Sequence, residues 1–286
     1  MTITDPISMT ARLTAAARAR ESQRPAGDRL FDDPYASALA GPDGISYMEA
    51  LELAARPPGA PGPVQNPYLA MRTRFFDDFL VQAVAAASAR QLVMVAAGLD
   101  SRAFRLDWPP GMRLFELDRP QVLDAKQEIL DRLAARPRCD RRPVGVDLLV
   151  DWEDPLIAAG FDDQAPSIWL IEGLFPYLDE AAADAVLRQS ARLATAGSRL
   201  GTDIVGRSML ESPWTRSYID ALARANAPWR WGTDQPEAFL EARGWSATAA
   251  LRPGDPDLNF GRWPFPALPR DTPGLPQTFI VTAVRR

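Results

Sequence analysis

The chain has no histidine, a single cysteine and a single lysine among its 286 residues. Without histidine the side chain that titrates nearest neutral pH is missing, and with it the usual general base, imidazole-ligated zinc and Ser-His-Asp triads. Any chemistry then falls to carboxylates, tyrosine, arginine or a cofactor that brings its own reactivity. Cys139 alone can form neither an intrachain disulfide nor a thiolate cluster, so no metal is expected. Basic charge is almost all arginine, Lys126 excepted, which points first to coding bias in a high-GC genome. There is no excess of it: a net charge of -5 leaves no footprint for nucleic acid, whose phosphates demand clustered positive charge. The short basic run over residues 136–142 reads as a solvated loop. No run of about 18 consecutive apolar residues occurs, so no membrane partner is expected. Residues 1–13 contain Asp5 and no apolar stretch of signal-peptide length, and a soluble, cytoplasmic protein is the expectation.

What is present, 47% hydrophobic residues, is enough for one large core, and one elaborated domain is expected over 1–286. TARLTAAARARESQR, residues 10–24, has apolar positions at helical spacing; LFDDPY then stops the helix and anchors a short segment. RPPGAPGPVQNP, residues 56–67, is too rich in proline and glycine for regular structure, and a long helix follows over 68–89. Strands and helices then alternate. Strands are predicted at 91–96, 112–117, 144–146 (the end of a third), 167–171 and 198–205; helices at 120–135, 152–159 and 179–194, the last two closed by Gly160 and Gly197. This alternation indicates a parallel sheet covered on both faces, a doubly wound α/β fold. After an insertion the tail departs from the pattern, with a helix at 236–243, a strand at 245–251, a proline-rich excursion over 252–276 and a last strand at 277–285.

Open α/β sheets bind ligands beyond the carboxyl ends of their strands. Four such ends carry an acid here: Asp100, Asp118, Asp147 and Glu172. Any one of them alone reads as a helix cap; four in register read as a ligand site. Asp118 follows Gly98 at about the 20-residue spacing that lets an acid on the second strand hold ribose hydroxyls. The first turn, AAGLDS, has one glycine where a pyrophosphate-binding G-x-G-x-x-G has three, and it puts Asp100 where phosphates would sit. A carboxylate there repels pyrophosphate and tolerates a cation. S-adenosylmethionine, adenosine joined to a sulfonium and an amino acid, has that charge pattern. Asp147 then suits the adenine amine, with Leu148 as an apolar or backbone contact, and Glu172 suits the methionyl ammonium or the approaching acceptor. The methionyl carboxylate requires an arginine, and Arg72 and Arg74 are the candidates; two residues apart on a helix, they cannot both face the site. Arg102 is expected to pair with a nearby acid and hold the turn.

The segments TAAARARESQRP, LFDDPYA, MRTRFFDDFL, AAGLDSRAFRL, FELDRPQVLDAK, VDL, WLIEGLFPYL, FGRWPFPALP and FIVTAVRR, in this order, resemble the leucine carboxyl methyltransferase superfamily. More closely they are similar to its bacterial O-methyltransferase branch, which includes tetracenomycin-type polyketide carboxyl methyltransferases. The resemblance implies a class I methyltransferase, a Rossmann-like sheet of seven strands with the last antiparallel, under an N-terminal helical extension and lid insertions. It implies a helical cap over 1–66, a cofactor-binding core over 67–205, lid and acceptor-pocket elements over 206–276, and the last strand over 277–286. It also implies cofactor contacts from Arg72, Gly98, Asp118, Asp147, Leu148 and Glu172, with a basic residue of the first helix, Arg18, near the methionyl carboxylate. The family usually has glycine where Ala96 stands; a methyl group there narrows the approach to the cofactor, and weaker binding is expected.

Methyl transfer from a sulfonium is an in-line displacement on an activated carbon, so the protein's main task is alignment, which can supply roughly 7 to 11 kcal/mol. A carboxylate acceptor is ionised at pH 7 and needs no base; a phenol, with a pKa of about 10, needs Glu172, Tyr177 or another group to take its proton or hold the phenolate. The histidine-free chain favours the carboxylate. Trp214, Tyr218, Trp229 and Trp231 in the insertion, with Arg262, Trp263 and Phe265 in the excursion, suit a flat aromatic acceptor whose carboxylate meets Arg262; each aromatic alone reads equally as a satellite core under a lid. The expected partner is a small aromatic or polyketide-type molecule of secondary metabolism, the expected cofactor product is S-adenosylhomocysteine, and the chain is expected to be a monomer or homodimer. Two other readings stay open. One is the same chemistry on a protein C-terminal carboxylate, which asks for an open groove; the other is a cofactor-binding protein without catalysis.

Overall fold

The computed structural model describes residues 6–55, 65–87 and 89–286. Most of the expected proline-rich loop, residues 56–64, lies outside them, as does the N-terminal stretch 1–5 with Asp5. Three helices come first: α1 (Pro6–Ser22), α2 (Ala36–Ala54) and α3 (Tyr68–Ala87). The second was not foreseen as a helix, because its stretch carries Gly41 and Pro42; it is two helical segments joined where Gly41 takes φ +61°.

The chain then alternates through β1 (Gln91–Val95), α4 (Arg102–Arg105), β2 (Arg113–Asp118), α5 (Pro120–Arg132), β3 (Asp140–Gly145), α6 (Glu153–Ala158), β4 (Ile168–Ile171), a 3-10 turn (Phe175–Tyr177), α7 (Glu180–Leu193) and β5 (Arg199–Val205). The tail supplies α8 (Arg207–Glu211), α9 (Arg216–Arg224), α10 (Pro236–Glu241), β6 (Trp245–Leu251), α11 (Pro256–Asn259) and β7 (Thr278–Arg285). The strands form one sheet in the order β3-β2-β1-β4-β5-β7-β6. β1 to β5 are parallel, whereas β7 runs antiparallel to both β5 and β6. This is the seven-stranded class I methyltransferase arrangement. Strand order reverses between β1 and β4, which opens a crevice at their carboxyl ends.

Successive side chains of a strand point to opposite faces, and the sheet uses both. Leu92, Met94, Leu114 and Leu170 enter one core with Met71, Phe76 and Leu80 of α3, while Val93, Val95, Phe115 and Trp169 enter the other with Trp152, Val186 and Leu187. The basic run departs from the loop expected of it, since residues 140–145 form the edge strand β3. Arg141 turns inward to Glu116 at 2.8 Å, and Arg142 pairs with Asp140 on the outside. Charge and Pro143 on this edge discourage pairing with another chain. The only lysine is fully buried under β2, with Lys126 Nζ 2.9 Å from Glu116 Oε1; burial pushes its pKa down, against the pull of that carboxylate. No helix among the described residues is long and apolar enough to cross a membrane.

Candidate active site

The turn after β1 opens with Ala96 at φ +59°, the left-handed region that L-residues enter at a cost of roughly 1–2 kcal/mol. A glycine would adopt it freely, which gives the departure at this position a physical meaning. Ala97 N donates to Leu117 O at 3.0 Å and Gly98 N to Asp118 Oδ2 at 2.7 Å, so the turn is lashed to β2. Arg119 N donates to the other oxygen of Asp118 at 2.8 Å. Burial nonetheless raises the Asp118 pKa against these two N–H groups. The helix after the turn, α4, is one turn long and offers little dipole to a phosphate. α1 lies over the turn, since a Cβ on Gly98 would stand 3.3 Å from Ala11 Cβ.

A buried charge network floors the crevice. Arg102 donates from Nε to Asp77 Oδ1 at 2.7 Å, and from Nη1 to Asp100 Oδ2 at 2.5 Å and Glu172 Oε2 at 2.8 Å. Arg72 holds the other side of Glu172, its Nε 2.9 Å from Oε1, and its Nη1 donates to Asp203 Oδ2 at 2.7 Å. Gly173 N donates to the remaining Asp203 oxygen at 2.6 Å. Arg105 binds both oxygens of Asp77, and Arg18 donates to Asp33 Oδ2 at 2.8 Å and Leu99 O at 2.6 Å. Four arginines thus face five carboxylates where charge is little screened, and the set carries one negative charge in excess. Burial pushes Asp100 up, but Arg102 and the cations around it hold its carboxyl below the ordinary range. Asp33 is held low in the same way by Arg18 and Arg105. The complement to this floor is a cation.

Above it lies a cavity of about 1480 Å³, larger than the roughly 300–1,000 Å³ of a typical single-ligand site, so that two ligands have room. Every candidate site residue lines it except Arg74 and Trp231. Arg74 is corrected accordingly: it donates to Asp78 Oδ2 and Leu30 O, at 2.8 Å each, with its guanidinium over Phe260. Arg72 is the inward one. Arg262 is a strut: it donates to Glu21 Oε1 at 2.7 Å and Asp28 Oδ1 at 3.0 Å, and so fastens the proline-rich excursion to the cap instead of waiting for an acceptor carboxylate. Asp147 Oδ1 accepts from Leu149 N at 2.9 Å, a turn that sets Leu148 on the wall. Tyr177, Tyr218 and Trp229 line the inner chamber, the last two edge to face with ring centres 5.5 Å apart. Trp263 meets Phe265 at 6.0 Å, while Trp214 and Phe265, 85% and 64% exposed, stand at the mouth and enclose nothing. Trp231 belongs to the core, against Phe175 and Phe239.

A family model described as leucine carboxyl methyltransferase matches residues 11–191. The chain belongs to the leucine carboxyl methyltransferase family. A Parafrankia protein named "Putative S-adenosyl-L-methionine-dependent methyltransferase" is 43% identical over 240 residues, 84% of this chain and 76% of its own length. A Saccharopolyspora erythraea protein of the same name is 38% identical over 264 residues, 85% of this chain and 84% of that one. Among solved structures, a "putative methyltransferase" from Thermobifida fusca shares the fold at a TM-score of 0.60 and 15% identity, over 96% of this chain and 94% of that one. The protein is an S-adenosylmethionine-dependent methyltransferase.

In this methyltransferase the expectation of Glu172 as a base is corrected by its surroundings: its carboxylate lies between two guanidinium groups, Oε2 accepting from Arg102 and Oε1 ion-paired with Arg72. Asp203, which sequence reasoning missed, is equally committed. Its signal was there, an acid inside the apolar strand RLGTDIV, where a buried charge must find a partner. Asp77 and Asp33 were also missed; each is the inward member of a DD pair, in MRTRFFDDFL and LFDDPYA. Tyr68, also missed, has its hydroxyl on Thr278 at 3.1 Å and its ring beneath Arg72. Burial raises the pKa of Tyr68, Tyr177 and Tyr218, so all three phenols stay protonated.

Proposed function

We propose that the enzyme methylates a carboxylate oxygen of a small aromatic or polyketide-type acceptor of secondary metabolism, without a general base. One observation carries this reading: among the described residues at the chamber, each candidate base is already committed. Asp100 and Asp203 give both oxygens to arginine or backbone N–H donors, Glu172 accepts from Arg102 and is ion-paired with Arg72, and the tyrosines are held protonated. An acceptor that must first lose a proton finds no group to take it. One that arrives ionised meets hydrogen-bond donors in Tyr177 and Tyr218.

The floor of the crevice fits S-adenosylmethionine, whose net positive charge matches the one excess carboxylate. When bound, this cofactor supplies a methyl carbon already activated by its sulfonium. Asp118 would hold the ribose hydroxyls, Asp147 and Leu148 the adenine, Asp100 and Glu172 the ammonium, and Arg18 and Arg72 the methionyl carboxylate. Their ion pairs leave lone pairs and N–H groups for this, since a carboxylate has about four acceptor sites and a guanidinium five donors. The network fixes these side chains before the ligands arrive, so little reorganisation is needed when the reactants align. The family's name, which denotes a carboxyl methyltransferase, agrees in the group modified.

The test is a methyl-donor assay on a panel of aromatic acids, phenols and peptides ending in leucine, with cofactor binding measured in parallel. Turnover on aromatic acids is expected. Turnover confined to phenols, or tight cofactor binding with no turnover on any acceptor, would overturn the reading.

A further inference from the structure

Trp214 is the most exposed large hydrophobic side chain among the described residues, and Phe265 and Leu268, 46% exposed, accompany it at the cavity mouth. Apolar side chains gathered at the rim of a ligand site, and left in water, mark a surface awaiting a partner. The lip is braced. Ser212 Oγ donates to Gly274 O at 3.4 Å and seats Trp214 beside residues 272–276; Arg252 Nη2 donates to Leu268 O at 2.9 Å; Phe265 leans on Trp263. The same three side chains line the cavity that reaches Glu172 and Tyr177, so one cavity runs from the chamber to the outside.

We infer that this lip binds an apolar tail of the acceptor, and that the natural acceptor is amphiphilic: a polar head in the chamber and an alkyl or polyene chain leaving past Trp214 and Phe265 onto Leu268. A compact acceptor would leave the lip in water and much of the cavity empty. A second copy of the chain is a poor occupant, since a stable interface takes roughly 20–30 residues a side. The identity of the head rests on the carboxylate reading above; the tail does not.

The test uses the full chain saturated with S-adenosylhomocysteine and measures dissociation constants for two series by calorimetry. One is the straight-chain acids from hexanoic to hexadecanoic, the other para-alkyl phenols of matching tail length. In at least one series affinity is expected to rise about two-fold per methylene, roughly half the effect of complete burial, because one side of the tail faces water. The Trp214→Ala/Phe265→Ala double variant flattens that slope, and Val81→Ala, at an exposed position on α3, leaves it unchanged. No slope in either series, a slope unaltered in the double variant, or a dimer seen by light scattering that the double variant dissolves would overturn the inference. If only the phenols bind and show the slope, the carboxylate reading fails and the lip stands. If short aromatic acids are methylated and tail length adds nothing, the lip fails and the reading stands.

Discussion

Arg102 Nη1 donates to Glu172 Oε2 across 2.8 Å, joining the turn after β1 to the end of β4 at the point where strand order reverses. One guanidinium, 2% exposed, thereby fixes acids from three elements: Asp77, Asp100 and Glu172. Removing it strands those carboxylates in a poorly solvated site. Arg102→Ala is expected to lower unfolding free energy by about 3–5 kcal/mol, the usual cost of breaking a buried pair from one side. Urea denaturation measures it, and a loss below about 1 kcal/mol would mean that the network does not hold the turn.

Asp118 is the residue whose loss should fall most heavily on the cofactor. Asp118→Ala is expected to weaken S-adenosylmethionine binding about ten- to a hundred-fold, the worth of hydrogen bonds to a charged group. Calorimetric titration checks this; normal affinity in a folded variant would displace the ribose from β2.

At position 96 the strain is local and removable. Ala96→Gly relieves a left-handed alanine, and the gain outweighs the greater freedom of glycine in the unfolded chain by up to about 1 kcal/mol. Cofactor affinity should rise with it, because the methyl group at the cleft wall is gone. Unchanged or lower stability in Ala96→Gly would show that the turn does not strain the alanine.

The network also sets opposite pH dependences. Asp33 and Asp100 have folded pKa values below the unfolded value of about 3.9, so the stability they confer is complete above that value and lost as pH falls through the folded ones. Asp118 is the reverse: its folded pKa is raised, so its ionisation costs stability as pH rises through that value. A ribose site built on ionised Asp118 should therefore lose affinity on acidification while the protein is still folded. Dissociation constants across mildly acidic pH, beside denaturation curves, test this; affinity that persists until unfolding would contradict it, as would the same pH dependence in Asp118→Asn.

Periodicity made the sheet legible, because alternating apolar strands and amphipathic helices report burial locally; β1 at Gln91–Val95, buried throughout, is an example. The four strand-end acids were legible too, since parallel strands send their carboxyl ends to one edge, and Asp100, Asp118, Asp147 and Glu172 share one cavity. Pairing was not. Arg72 meets Asp203 across 131 positions of sequence, and nothing local to either residue announces the other. The same limit hid Glu21 and Asp28, the partners of Arg262. The left-handed φ of Ala96 is also set by the turn's ties to β2, which no residue pattern in β1 reveals.

The central claim, transfer to a carboxylate that arrives already ionised, is tested most directly by the alkali lability of the transferred group. Product labelled from methyl-labelled S-adenosylmethionine is treated with dilute base. A methyl ester releases its label as volatile methanol, which is the result predicted here. Label that survives as an alkali-stable ether would place the methyl group on a phenol and contradict the account.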